Sequence, residues 1–198
     1  MSKPLRATGL AALCALAVGA AFAACDNPFA LPPATLLPID TTYTLYSMTG
    51  SVVWGPSALD MTVLPASAAV RTDRTYFFDF ALDMPDSLGD TIPLLIPPGG
   101  LGLPRDGGLQ ITKVPFDSMN YAPDAGYDQA AGQKLAVGTV VLASSRTQSC
   151  NYNIAHPFYA KLKILAIDTI ARSVTFRILL DQNCGYRSLK ADSLPPTN

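Results

Sequence analysis

Alternation between apolar and polar positions is the clearest pattern in the chain, and it is strongest at residues 78–84, "FDFALDM". Large apolar residues occupy every second position, and between them lie Asp79, Ala81 and Asp83. A period of two predicts a strand with one face on a core. The polar set between the apolar residues predicts that the second face is open, as is common in antiparallel sheets.

The same alternation appears twice in the C-terminal third. The stretches "YAKLKILAI" (159–167) and "VTFRILL" (174–180) each place apolar residues, Ala166 among them, at every second position. The short polar segment "DTIARS" (168–173) separates them, which predicts a C-terminal β-hairpin. Upstream, "GTVVLASS" (138–145) predicts a third strand, and the three together predict an antiparallel meander.

Earlier segments predict more short strands: "TYTLYSM" (42–48), "SVVW" (51–54), "ALDMTVL" (58–64) and "LQITKV" (109–114). Loops rich in Pro and Gly separate them, the longest at 93–108. Short strands with such loops indicate an all-β fold, a single antiparallel β-sandwich or a small barrel. We expect this domain to span residues 41–198.

Composition supports strands over helices. The chain has 15 acidic residues, and every one is Asp. Glu is a good helix former, whereas Asp favours caps and turns. With 17 Pro and 14 Gly in addition, a helical protein is hard to build from this composition.

The N-terminus has the features of an export signal. Lys3 and Arg6 form a basic head, residues 7–24 carry no charge, and the segment ends in small residues. This pattern predicts a signal peptide over residues 1–24. A retained membrane anchor is the alternative, because 18 uncharged residues just suffice to span a bilayer.

The stretch "FAAC" (22–25) resembles the lipobox of bacterial lipoproteins, in which small residues precede a cysteine that receives the lipid. The resemblance implies lipidation at Cys25 and a membrane-anchored protein of the bacterial cell envelope that faces the periplasm or the exterior. Residues 25–40 are rich in Pro and predict an extended tether. In the alternative, signal peptidase cuts after Ala21-Phe22-Ala23 and the mature chain starts, unlipidated, at Ala24.

Two cysteines remain for the folded domain, Cys150 and Cys184. Each follows the end of a predicted strand, and the two strands flank the middle strand of the meander. An even pair in an oxidising compartment predicts a disulfide between them. The alternative, two thiols binding a metal, finds one further ligand in His156.

A search for catalytic and metal motifs leaves few candidates. His156 is the single histidine of the chain, and neither a G-x-S-x-G elbow nor an H-E-x-x-H motif accompanies it. We therefore predict no catalytic residue and no cofactor. The turn "DMPDSLGD" carries Asp83, Asp86 and Asp90, the candidate ligands for calcium, which takes six to eight oxygens.

The stretch "NCGYRSL" (183–189) contains the candidate binding residues Tyr186 and Arg187, which can stack on a sugar or a partner. Gly185 indicates a backbone with positive φ. The preferred interpretation of this stretch is a turn that ends a strand and covers the open end of the core. Together with "YAK" and the hairpin, this stretch resembles uncharacterised bacterial envelope lipoproteins, a resemblance that implies no activity.

Charge narrows the partner classes. Without Lys3 and Arg6, 12 basic residues stand against 15 acidic ones, a net charge of −3, which argues against nucleic acid. We predict a non-catalytic domain that binds a protein or polysaccharide or supports the envelope. The alternative is an envelope hydrolase with an Asp-based site. A cleft with two close carboxylates would favour the hydrolase, and a flat aromatic face near Tyr152, Tyr159 and Tyr186 would favour binding.

Overall fold

The computed structural model describes residues 31–51, 54–87, 90–150 and 154–195. The predicted signal peptide and Cys25 lie outside them. Two short 3₁₀ helices span Pro98–Leu101 and Phe116–Ser118. No helix within the described ranges is long and apolar enough to cross a membrane. The strands are β1 (Ile39–Tyr46), β2 (Ala58–Asp60), β3 (Ala68–Val70), β4 (Phe80–Asp83), β5 (Asp86–Ser87), β6 (Asp90–Thr91), β7 (Leu94–Ile96), β8 (Gly108–Thr112), β9 (Gln133–Lys134), β10 (Val140–Ser144), β11 (Gln148–Ser149), β12 (Ala155–His156), β13 (Tyr159–Asp168) and β14 (Ser173–Asp181).

Two antiparallel sheets of five strands form the body of the domain. The long sheet has the order β1-β14-β13-β10-β8, and the short sheet has the order β3-β2-β4-β7-β9. Their facing sides share one apolar core, in which the rings of Phe80 and Phe176 meet edge to face at 6.0 Å. The fold is therefore an all-β antiparallel sandwich, the first of the two predicted architectures.

The C-terminal hairpin is confirmed. Strands β13 and β14 pair from Tyr159↔Asp181 to Asp168↔Ser173, and β10 pairs with β13 to complete the meander. A β-bulge interrupts the register between Ile164 and Ala166. The prediction that Ala166 faces the core is therefore wrong, and Ile167 packs there instead, because one extra residue exchanges the two faces of a strand.

The prediction that "FDFALDM" buries one face only is also wrong. Asp79 and Ala81 are buried as well. Ala81 packs with Ala58 and Phe78 on the outer side of the short sheet, against which Met48 and Leu103 pack from loops. Alternation reports the polarity of each face, but it does not report which loops fold over it. The predicted long loop at 93–108 likewise contains β7.

The long sheet is covered on its outer side too. Phe116 comes from the second 3₁₀ helix, and Ala122 and Leu189 come from loops. They pack on the outward side chains of the sheet, Val140, Leu142, Tyr159 and Leu179. Both sheets are thus buried on their two faces over much of their area, and two smaller apolar clusters flank the central core.

The two ends of the sandwich are distinct. At the disulfide end, Cys150 is bonded to Cys184 across a Cα–Cα distance of 6.0 Å, which confirms the predicted disulfide. The described chain enters at this end, where the Asn183 side chain accepts hydrogen bonds from the backbone N–H groups of Thr35 and Leu36. The opposite end holds the turn between β13 and β14 and is called the hairpin end.

Candidate functional site

An open cavity of about 210 Å³ at the hairpin end is the best candidate for a binding site. Trp54, the single tryptophan of the chain, lines it with 80% of its surface exposed. A tryptophan so exposed is uncommon in a folded domain, since its large ring normally packs. The polar side chains of the cavity come from Ser47, Ser51, Ser57, Arg71, Thr72 and Asp73.

The pairing of β2 with β3 positions this cavity. The Ser57 N–H donates to the carbonyl of Val70 at 2.9 Å, and the hydroxyls of Ser57 and Thr72 are 2.9 Å apart. Arg71, directly after β3, donates from Nη1 to the Trp54 carbonyl at 3.5 Å. Its guanidinium carbon lies 4.8 Å from the indole centroid, a cation–π distance that holds the ring beside the strands.

The charges of the cavity are paired within it. Arg71 donates from Nε to Asp73 Oδ1 at 2.8 Å and from Nη2 to Oδ2 at 2.5 Å. This bidentate contact lowers the pKa of Asp73 and raises the pKa of Arg71. The cavity therefore presents an aromatic surface beside a neutral pair of charges and several hydroxyls. Such a surface suits a neutral ligand with both apolar and hydroxyl-bearing faces.

The stretch "NCGYRSL" adopts the predicted turn instead of an open binding face. Gly185 has φ +76°, which confirms the predicted backbone conformation. Tyr186 is buried, and Arg187 is exposed with Nη1 3.6 Å from Asp124 Oδ2. Tyr159 is buried as well, so these two tyrosines form no exposed aromatic face. Tyr152 lies outside the described residues.

Two of the three candidate calcium ligands, Asp83 and Asp86, already accept hydrogen bonds from protein side chains. Asp83 Oδ1 accepts hydrogen bonds from the hydroxyls of Ser47 at 2.9 Å and Thr49 at 2.7 Å. Asp86 accepts from Arg172 and from the Thr91 hydroxyl, and Asp90 lies in β6. No group of three or more His, Cys or Asp side chains in the described ranges is placed to hold a metal ion.

A buried ionic cluster at the disulfide end is the feature that sequence reasoning missed. Asp79 is 1% exposed and accepts the backbone N–H of Met61 at 2.6 Å and that of Arg146 at 2.7 Å. Arg146 donates from Nη2 to Asp60 Oδ1 at 2.7 Å, and its Nε lies 3.3 Å from Asp79. Burial raises the pKa of Asp79 to about 6 despite the nearby guanidinium.

This cluster brings two carboxylates, Asp60 and Asp79, to one arginine, yet neither is free in an open cleft. Both are buried, and Arg146 joins the end of β10 in the long sheet to β2 and β4 in the short sheet. The arrangement can fasten the two sheets to each other. Alternation in "FDFALDM" could not reveal it, because Asp79 has the same sequence signature as a solvated strand aspartate.

His156 lies in β12, paired with Gln148 of β11 beside the disulfide. No model of a known protein family matches the chain, and no curated protein matches it either.

Proposed function

We propose that this protein is a lipid-anchored component of the bacterial cell envelope whose β-sandwich binds a polysaccharide in the Trp54 cavity. The observation that carries this proposal is the exposed indole beside the Arg71–Asp73 pair. A sugar ring has an apolar face of C–H groups that can stack on an indole, and hydroxyls that can bond to a guanidinium, a carboxylate and serine side chains. Trp54, the Arg71–Asp73 pair and the serines all line this same cavity.

The position of the cavity supports a role in contact with the surroundings. The described chain enters at the disulfide end, where Asn183 holds Thr35 and Leu36. The cavity contains Ser47 and Met48, which follow β1 at the hairpin end. The Trp54 cavity therefore lies at the end of the sandwich opposite the one where the described chain begins.

Binding to purified cell-envelope polysaccharides, measured by affinity sedimentation with the protein in detergent, tests the cavity. We expect Trp54→Ala to weaken binding by about tenfold or more, since a central aromatic contact is commonly worth above 1.4 kcal/mol. Tyr76→Ala removes another exposed aromatic, 67% exposed and outside the cavity, and is the matched control. Equal binding by the wild type and Trp54→Ala would contradict the proposal. Release of shortened glycan products would favour the alternative hydrolase.

The anchor has its own test, which does not depend on the cavity. Intact-mass analysis of protein extracted from native membranes should show a mature chain that begins at Cys25 and carries acyl chains. We expect Cys25→Ser to leave the protein unlipidated and outside the membrane fraction. An unmodified mature chain that begins at Ala24 would overturn the lipid anchor and leave the binding proposal standing.

A further inference from the structure

A second cavity, of about 280 Å³, lies on the outer side of the long sheet. Three cationic side chains line it: Lys161 from β13, Arg177 from β14 and Lys190 from the C-terminal segment. Asn120 and Asp117 line it from the loop that follows β8. Of the described residues that line the cavity, Asp117 is the one with a carboxylate.

Lys161 is the unusual member because it is only 4% exposed. Its Nζ donates to the carbonyls of Phe116 at 2.8 Å and Met119 at 2.9 Å, and it lies 4.6 Å from the centroid of the Phe116 ring. No carboxylate among the described residues is within ion-pair distance of it. Buried lysines normally have a charged partner.

Among the residues that the structure describes, two carbonyls accept hydrogen bonds from Lys161 Nζ. An ammonium group carries three protons, and the two carbonyls engage two of them. Burial also lowers the pKa of this lysine, although the carboxylates of Asp117 and Asp40 oppose that shift. An anion in the cavity would accept the third proton and supply the missing opposite charge.

The guanidinium of Arg177 uses only some of its N–H groups in contacts with Asp40. Its Nε and Nη2 bind the two oxygens of Asp40 at 2.8 and 2.6 Å, which leaves Nη1, 3.6 Å from Asp117 Oδ1. The Phe116 ring lies 4.7 Å from its guanidinium carbon. Lys190 is exposed, and its Nζ is 5.5 Å from the centroid of the Tyr121 ring. The cavity thus has cationic donors on β13, on β14 and on the C-terminal segment.

Three cations against Asp117 leave the cavity with two excess positive charges, and counting Asp40 as well leaves one. This local excess occurs in a chain whose predicted mature charge is negative. We propose that the cavity binds a phosphate group, either of a small phosphate or of a phospholipid headgroup. A tetrahedral phosphate offers oxygens in several directions to lysine and arginine donors, whereas a carboxylate offers two in one plane.

Titration calorimetry of the full chain with inorganic phosphate is the first arm of the test. We expect Lys190→Gln to weaken binding roughly fivefold, the upper range for one partly exposed charge pair, and Asp117→Asn to strengthen it by a similar factor. Both residues are exposed, so these variants are expected to fold. Lys134→Gln removes an exposed lysine from β9 of the short sheet and is the matched control.

Sedimentation with vesicles is the second arm, and it compares phosphatidylcholine with and without phosphatidylglycerol. It uses the Cys25→Ser protein, because a lipidated chain would insert into either vesicle. Inorganic phosphate that binds more tightly to Asp117→Asn and more weakly to Lys190→Gln than to the wild type supports a site for a small phosphate. The same ranking on phosphatidylglycerol vesicles alone supports a headgroup. Binding in neither arm, or binding that Lys134→Gln weakens as much as Lys190→Gln, would overturn the proposal.

Discussion

Asp181, the last residue of β14, is buried with its carboxylate only half satisfied. Its Oδ1 accepts the backbone N–H of Asn183 at 2.9 Å and the Asn183 side-chain N–H at 2.6 Å. Its Oδ2 has no hydrogen-bond partner in the part of the chain that the structure describes. Burial raises the pKa of Asp181 to about 6, because the charged form loses more solvation than these two bonds restore.

This raised pKa predicts a pH-dependent stability. Between the unfolded pKa of 3.8 and the folded pKa of about 6, the folded protein keeps a proton that the unfolded chain has lost. The free energy of unfolding therefore falls as the pH rises through this window. Asn has no titratable proton, so the Asp181→Asn variant does not share this fall in the free energy of unfolding. From about pH 4 to about pH 7, we expect its free energy of unfolding to rise by about 3 kcal/mol relative to that of the wild type.

Urea unfolding of both proteins across this range measures the gain. The free energy of unfolding of the variant should still fall with rising pH, but less steeply, because burial also raises the pKa of Asp79 to about 6. Parallel pH profiles for Asp181→Asn and the wild type would contradict the assignment.

Residue types and spacings predicted some of these residues and missed others. The disulfide and the positive φ of Gly185 followed from pairing and from residue type. Trp54 gave no signal, because a single tryptophan carries no spacing that distinguishes a packed ring from an exposed one. Lys161 alternates with the apolar residues of its strand and lies on the outward face, but only the fold shows that the 116–119 turn covers it.

At the scale of secondary structure elements, the two sheets are connected at their ends by polar side chains. At the disulfide end, Arg146 joins the long sheet to Asp60 and Asp79, and Gln182 Nε2 donates to the carbonyls of Met61 and Val63 at 2.8 and 2.7 Å. At the hairpin end, the Ser47 hydroxyl donates to Asp83. These contacts fix the register of one sheet on the other, which the non-directional apolar core does not.

Removal of Arg146 tests the contribution of the disulfide end. We expect Arg146→Ala to lower the free energy of unfolding by roughly 3 kcal/mol near neutral pH, because two buried carboxylates lose their cation. The loss should shrink below the pKa of Asp79, where that carboxyl is protonated. Arg71→Ala breaks an exposed ion pair and should change the stability little. An equal effect of the two substitutions in urea unfolding would refute this role of Arg146.

The elements themselves were predictable where alternation was long and uninterrupted. The hairpin of β13 and β14 was predicted within one or two residues at each end. The bulge after Ile164 was not, because it is set by pairing with β14 and leaves no mark in the residue types. Strands of two or three residues, such as β7 and β9, are too short for a period to be seen.

At the scale of the whole molecule, the chain enters the sandwich at one end and the Trp54 cavity opens at the other. Two exposed residues mark these ends. Leu37 precedes β1 at the disulfide end and is 61% exposed, and Ile170 lies in the turn between β13 and β14 and is 92% exposed. If the proposed lipid anchor at Cys25 is correct, we expect it to hold Leu37 nearer to the membrane surface than Ile170.

Labelling of single cysteines with a bulky maleimide reports this difference. In membranes, we expect Leu37→Cys to react several-fold more slowly than Ile170→Cys, because lipid headgroups obstruct a large reagent close to the bilayer. The two positions should react at similar rates when each is combined with Cys25→Ser, which removes the anchor but keeps the fold. Comparable rates in membranes would mean that the domain has no preferred orientation on its tether. A slower reaction at Ile170→Cys would place the Trp54 cavity against the membrane and exclude it as an outward-facing polysaccharide site.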